Sequence, residues 1–232
     1  MNIIIEVEDM AESNMMVYGV ACCNTKFKTF WKSMADKLDY KYHLLGENEE
    51  FVDYNWKIRK LYEGLSECNT EYVVLVDVGD GFFVRHSNDL YDKLIKSPDI
   101  IVGASPSFLH LKDEPLFVEY FSNSNEINKY PNAGFVAGKT SLIRDLYREI
   151  LNETNDDHEV AHWVKSKIAC LDYVSEFVAN IPGDIIDHHF NFIDGQIIEK
   201  THQSKPFYLH FPSMGLQTGF GSNILKHYKN IC

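Results

Sequence analysis

Tyr72-Val-Val-Leu-Val76 is an unbroken apolar run closed by Asp77-Val-Gly-Asp80, and no other stretch constrains the fold as tightly. A strand that alternates apolar and polar residues keeps one face in water, whereas a strand with no polar position needs cover on both. Helices on either side of a sheet supply that cover, so the run predicts an α/β domain with Tyr72–Val76 as a central parallel strand. The flanking sequence agrees. Met15–Cys23 (MMVYGVACC) reads as a buried first strand ending at a polar Asn-Thr. Phe27, Phe30, Trp31, Met34 and Leu38 recur at helical spacing, and Tyr40–Leu45 reads as a second strand. An acidic loop, Gly46–Asp53, precedes a helix with Ile58, Leu61, Tyr62 and Leu65 on one face.

Beyond the central strand the pattern predicts a helix near Asn88–Lys96 capped by Ser87, then a strand at Asp99–Ala104. Ser105–Lys129 reads as a long loop with room for one short helix, the sort of segment that lines a binding site. A short strand at Phe135–Ala137 follows, then a helix at Ser141–Leu151 and another from about Asp156. Short strands close the pattern near Ile185–Phe192 and Phe207–Phe211. In such a sheet, ligands bind at the carboxyl ends of the strands.

Residues 1–232 read as one domain, with 1–14 as an N-terminal extension, and at 45% hydrophobic the chain can bury a real core. Met1–Met10 holds three acids and no Lys or Arg, unlike a secretory signal, and no apolar run approaches the ~20 residues of a membrane span. The five cysteines are odd in number and lack CxxC spacing, so they read as free thiols in a reducing cytoplasm, a host's if the source is viral. A formal charge of −12 excludes a broad basic surface for nucleic acid. It leaves room for a local basic groove, and for acids that hold a cation.

Four features carry chemistry. Asp77 and Asp80 stand in a turn at the carboxyl end of the central strand, and two hard oxygen donors there suit Mg²⁺ or Mn²⁺ against a diphosphate. The same residues also make an ordinary polar turn, and the tetrapeptide alone does not separate the two. Tyr130-Pro-Asn-Ala-Gly134 reads as a small-residue turn that lets backbone approach a ligand, with Asn132 placed to bond a sugar hydroxyl or merely to open a strand. Asp156 and Asp157 sit at a helix start, where acids also serve as caps. His210 ends the aromatic run Phe207-Tyr-Leu-His, where an imidazole completes a metal site or acts as one more structural histidine among ten.

The order of these segments resembles the GT-A glycosyltransferase domain of lysyl hydroxylases (procollagen glycosyltransferases) and of related viral and bacterial enzymes. Val17–Thr25 resembles that family's nucleotide-binding first strand, and Trp56-Lys-Ile-Arg-Lys60 its Lys-Val-Arg-Trp helix. Val74–Asp80 resembles the strand and DxxD metal motif, and Tyr130–Gly134 the Tyr-Leu-Asn-Ser-Gly segment. Asp156–Glu159 with Ile185–Phe192 resembles the Asp-Asp-Gln helix start and the later strand, and Leu209–Gly215 the closing His-Gly-Asn-Gly segment. Together the matches span roughly residues 15–228. The departures are Val78-Gly79 where the family has Ser-Tyr, His158 for glutamine, and Phe211-Pro-Ser-Met ahead of Gly215.

The resemblance implies a single GT-A (Rossmann-like) domain with a mostly parallel central sheet and helices on both faces. It implies Asp77, Asp80 and His210 as ligands of Mn²⁺ or Mg²⁺. It further implies Asn24, Thr25, Lys57 and Gly215 on a UDP-linked sugar donor, and Asn132, Asp156 and Asp157 toward the transferred sugar and its acceptor. The expected acceptor is a hydroxyl on a glycan or protein. A minority alternative is hydroxymethylated cytosine in phage DNA, with Lys26, Lys28, Lys32, Lys226 and Lys229 as a basic rim. A silent nucleotide-sugar-binding module is the alternative from another class. A nucleotidyltransferase is disfavoured, because Cys22-Cys-Asn-Thr25 lacks a glycine-rich phosphate loop.

Overall fold

A computed structural model describes residues 14–97, 100–106, 126–152, 170–183, 189–212 and 219–231. The described strands are β1 (Met15–Val20), β2 (Tyr42–Leu45), β3 (Tyr72–Asp77), β4 (Gly81–Phe83), β5 (Ile100–Ser105) and β6 (Tyr130–Lys139), followed by β7 (Cys170–Asp172), β8 (Val178–Asn180), β9 (Phe190–Ile193), β10 (Gln196–Glu199) and β11 (Tyr208–His210). The described helices are α1 (Lys28–Lys37), α2 (Tyr54–Glu67), α3 (Ser87–Leu94), α4 (Thr140–Leu151) and α5 (Gly219–Ile231).

Six strands form the main sheet in the order β2-β1-β3-β6-β5-β7. β1 pairs in parallel with β2 and β3, β5 pairs in parallel with β7, and β6 runs antiparallel between β3 and β5. The fold is therefore mixed α/β, and β3 is central as its unbroken apolar run requires. Its even and odd positions serve different cores. Val74 and Val76 pack with Trp31 and Met34 of α1, Leu90 of α3 and Ile224 of α5. Val73 and Leu75 pack on the other face with Ile58 and Leu61 of α2 and Ile143 and Tyr147 of α4. Asp53 starts α2 by accepting the Trp56 backbone N–H at 2.6 Å, an N-cap that fixes the register of the helix carrying Lys57.

A three-stranded sheet, β4-β11-β8, stands beside the main one, with β11 antiparallel to β4 and parallel to β8. Because β4 begins one residue after Asp80, this second sheet brings distant segments to the DxxD turn. The sequence reading did not anticipate β4, β7, β8, β10 or α5.

Two expectations need correction. Ser87 does not cap α3: its hydroxyl donates to the Asp39 carbonyl at 2.8 Å, and His86 holds the cap position. Tyr130–Gly134 is not a turn, and the strand expected at Phe135–Ala137 runs from Tyr130 to Lys139. Pro131 is tolerated because β3 pairs only with Phe135–Lys139, so the first half of β6 has β5 alone as a partner. That half overhangs the carboxyl end of β3. The expected extension over 1–14, the long loop and the helix near Asp156 lie wholly or largely outside the described residues. Among the described residues no helix is long and apolar enough to cross a membrane.

Candidate metal centre

β3 ends on Asp77, whose carboxylate stands at the lip of the sheet, and the turn through Val78 and Gly79 carries Asp80 to the start of β4. Val78 is buried and anchors the turn, while a side chain at Gly79 would meet open space. β11 pairs with β4 so that His210 lies opposite Gly81, and the Phe211 N–H donates to the Asp80 carbonyl at 2.8 Å. This pairing closes the cluster. His210 Nε2 lies 3.2 Å from Asp80 Oδ1 and 3.9 Å from Asp77 Oδ2. One ligand atom from each of the three residues falls within 4.8 Å of the others, and no other such cluster of His, Cys, Asp or Glu occurs among the described residues.

The three differ in exposure. His210 is buried at the floor, whereas the Asp77 and Asp80 side chains are about a third open to solvent. Burial alone would lower the imidazole pKa, but Asp80 and then Asp77 outweigh it, and the pKa stands above its ordinary value. The donors fit a divalent cation: two carboxylates and one imidazole at the floor, with the solvent side left for further oxygen ligands.

Lys57 and Tyr208 fix Asp77. The Lys57 ammonium, nearly buried, meets Asp77 Oδ1 at 2.7 Å and donates to the Ala133 carbonyl at 3.4 Å, leaving Asp77 Oδ2 facing His210. Tyr208, two residues before His210, donates its hydroxyl to the Asp77 carbonyl at 2.7 Å and accepts from Trp31 Nε1 at 3.1 Å. Glycine is obligatory at two contacts. A Cβ on Gly134 would stand 2.2–2.6 Å from the His210 ring, and one on Gly81 would stand 2.4–2.7 Å from the Tyr208 ring. The glycine of Tyr130–Gly134 thus admits the imidazole.

Asn24 and Thr25 lie in the loop after β1, and Val20 pairs with Asp77, so this loop leaves the sheet beside the cluster. The Thr25 hydroxyl accepts the Cys22 N–H at 3.0 Å and bonds the Cys22 thiol, which lowers the thiol pKa. The loop after β2 is tied to it by the Cys23 N–H donating to the Glu49 carbonyl at 2.8 Å, and it presents Phe51 and Val52 to solvent beside Tyr54 at the start of α2. Asn132 sits on the overhang of β6, where its Oδ1 accepts the Gly134 N–H at 2.8 Å. Asp156, Asp157 and Gly215 lie outside the described residues.

The structure therefore brings Asp77, Asp80, His210 and Lys57 together, with Asn24, Thr25 and Asn132 on segments that border them. The sequence reading missed Tyr208 and Asn180. Tyr208 shares the face of its strand with His210, a period-two signal; Asn180 sits next to no motif. No family model and no curated protein matches the chain.

Proposed function

We propose that this protein is a metal-dependent glycosyltransferase of GT-A type, transferring a sugar from a nucleotide-sugar, most naturally a UDP-sugar, to a hydroxyl on a glycan or protein. The observation that carries the reading is the convergence of Asp77, Asp80 and His210 at the carboxyl end of β3. Asp77, Asp80 and His210 would hold Mn²⁺ or Mg²⁺. When bound, the cation neutralises charge that develops on the departing diphosphate. Lys57 adds a second positive charge on the same side and keeps Asp77 from turning away.

The base side of the donor is served by different residues than in the family the sequence resembles. Val78-Gly79 offers no aromatic ring between the aspartates, but Phe51 and Tyr54 stand exposed, edge to face at 5.9 Å. Leu45, Val20 and Asp77 are level across β2, β1 and β3, so the loop that carries Phe51 leaves its strand about two strand spacings, roughly 10 Å, from Asp77. Stacking of a base on Phe51 fits that placement. Asn132, Asp156 and Asp157 are assigned toward the sugar and the acceptor.

Transfer to phage DNA is the weaker alternative. Lys28 and Lys32 of the supposed basic rim both pair with Glu47, at 3.6 and 2.6 Å. The test is release of free nucleotide from UDP-, GDP-, CMP- and dTDP-sugars with Mn²⁺, Mg²⁺ or EDTA, with and without hydroxymethylcytosine DNA. Release from one donor that EDTA stops is the expected result. Nucleotide binding without release from any donor would overturn the enzyme reading in favour of a silent binding module.

A further inference from the structure

Asn180 is almost wholly buried at the end of β8, directly opposite His210 in the parallel pairing of β8 with β11. Its Nδ2 donates to the Ala104 carbonyl at 2.8 Å, and its Oδ1 lies 2.7 Å from His210 Nδ1. A carbonyl only accepts, so the Ala104 contact fixes which end of the amide is nitrogen. The end facing His210 is then the oxygen, which also only accepts. Nδ1 must carry a hydrogen to make that bond, and in the neutral ring the lone pair falls to Nε2. Nε2 is the atom aimed at Asp80 and Asp77.

The backbone around Asn180 is fitted to this arrangement. A Cβ on Gly103 would stand 2.9 Å from Val178 Cγ1 and 3.1 Å from Asn180 Nδ2, so a residue larger than glycine would crowd the amide. The Ile181 N–H donates to the His210 carbonyl at 2.7 Å and locks the two strand ends in step. The chain Ala104–Asn180–His210 runs from the main sheet through the small one to the cluster.

We propose that Asn180 is the positioning residue of the centre, selecting the Nδ1–H tautomer of His210 and thereby presenting the Nε2 lone pair to a divalent cation. The inference rests on the cation reading of the cluster, but its first half concerns the ring alone. Groups that accept the other ring N–H of a metal-bound histidine act in this way, and their loss costs about 10–100-fold in metal affinity.

The experiment uses the full chain labelled with ¹⁵N-histidine, without added metal, at an alkaline pH where the ring is neutral, and assigns the His210 tautomer by long-range ¹H–¹⁵N correlation. Mn²⁺ affinity is measured alongside. Wild type is expected to carry its proton on Nδ1. Asn180→Leu, which lacks the acceptor, is expected to shift the proton to Nε2 and to lose about 10–100-fold in Mn²⁺ affinity. Asn180→Asp keeps the acceptor at Nδ1 but adds a buried charge and turns an oxygen on the Ala104 carbonyl, so it costs stability; a folded variant should keep the Nδ1–H signature and most of the affinity. A neutral wild-type ring protonated on Nε2 would overturn the proposal, even if Asn180→Leu fails to fold and even if Mn²⁺ binds. Unchanged affinity in a folded Asn180→Leu would overturn it too. Wild type with the Nδ1–H signature but no Mn²⁺ binding would support the tautomer assignment and refute the cation reading.

Discussion

At the scale of single residues, the site depends on carboxylates that are fixed and on glycines that give way to rings. The Asp80 side chain is part-exposed and meets His210 Nε2 at 3.2 Å, while its backbone contact to Phe211 survives truncation, so Asp80→Ala should leave the fold intact. Metal stabilisation of a leaving group is worth several kcal/mol. Transfer should therefore fall at least about a hundredfold, while the thermal midpoint stays near wild type. Gly134→Ala makes the opposite kind of change, because its methyl would overlap the His210 ring. Overpacking of that sort costs about 1–3 kcal/mol, and here it displaces the His210 imidazole as well. A lowered denaturation midpoint together with lost Mn²⁺ binding is the expected pair; a variant that binds Mn²⁺ normally would refute the contact.

Residue identity was legible in the sequence where chemistry and strand period coincide. Asp77 ends an apolar run, and His210 ends an aromatic one, so each announces itself as a polar group at a strand tip. Asn180 gave no such signal, because its partners are 76 residues before it and 30 after it in the chain. Tyr130–Gly134 misled for a definite reason. Pro, Asn and Gly are turn formers, but here Pro sits where no second strand asks for its N–H, and Gly faces an imidazole.

At the scale of elements, the junction of β3, β4 and β11 decides whether the cluster forms. Trp31, Tyr208 and the Asp77 carbonyl make a hydrogen-bonded chain through the core. Tyr208→Phe removes the middle of that chain and leaves the Trp31 N–H buried without its partner. The expected cost is about 1–3 kcal/mol, read by urea denaturation, with weakened Mn²⁺ binding because β3 and β11 lose their cross-link. The turn ahead of β8 is held by Asp172, whose carboxylate accepts the N–H groups of Glu176, Phe177 and Val178, each at 2.8 Å. Burial pushes its carboxyl up to about 6 against those three donors. A folded-state pKa above the unfolded one means that the stabilisation is complete at low pH. It is lost as pH rises from the ordinary value of 3.8 through about 6. Asp172→Asn should remove that slope, so the stability difference between wild type and variant should shift toward the variant across this window. A constant difference from pH 4 to 7 would contradict the assignment.

At the scale of the whole molecule, helices on both faces of β3 were legible, and so was the alternation of strands and helices. Of the small sheet β4-β11-β8 only β11 was legible, from its aromatic run, because β4 and β8 are three residues long and a period of two needs more than three positions to show. Yet that sheet is what carries His210 and Asn180 to a turn more than a hundred residues earlier. The fold thus divides its work: the main sheet presents Asp77 and its neighbouring loops, and the small sheet delivers the imidazole. Phe51 stands exposed on the loop after β2, and the proposed function gives it the nucleotide base. Phe51→Ala should raise the KM for the nucleotide-sugar several-fold and leave kcat nearly unchanged, since stacking on the base is the same in ground and transition states.

The central claim is that Asp77, Asp80 and His210 hold one divalent cation on which a nucleotide diphosphate sits. The most direct measurement is anomalous scattering from crystals grown with Mn²⁺ and UDP. The account predicts a single strong anomalous peak within coordination distance of all three side chains, in contact with the diphosphate and absent from Asp80→Ala crystals. UDP bound with no manganese peak at these residues, or a peak held by other side chains, would contradict it.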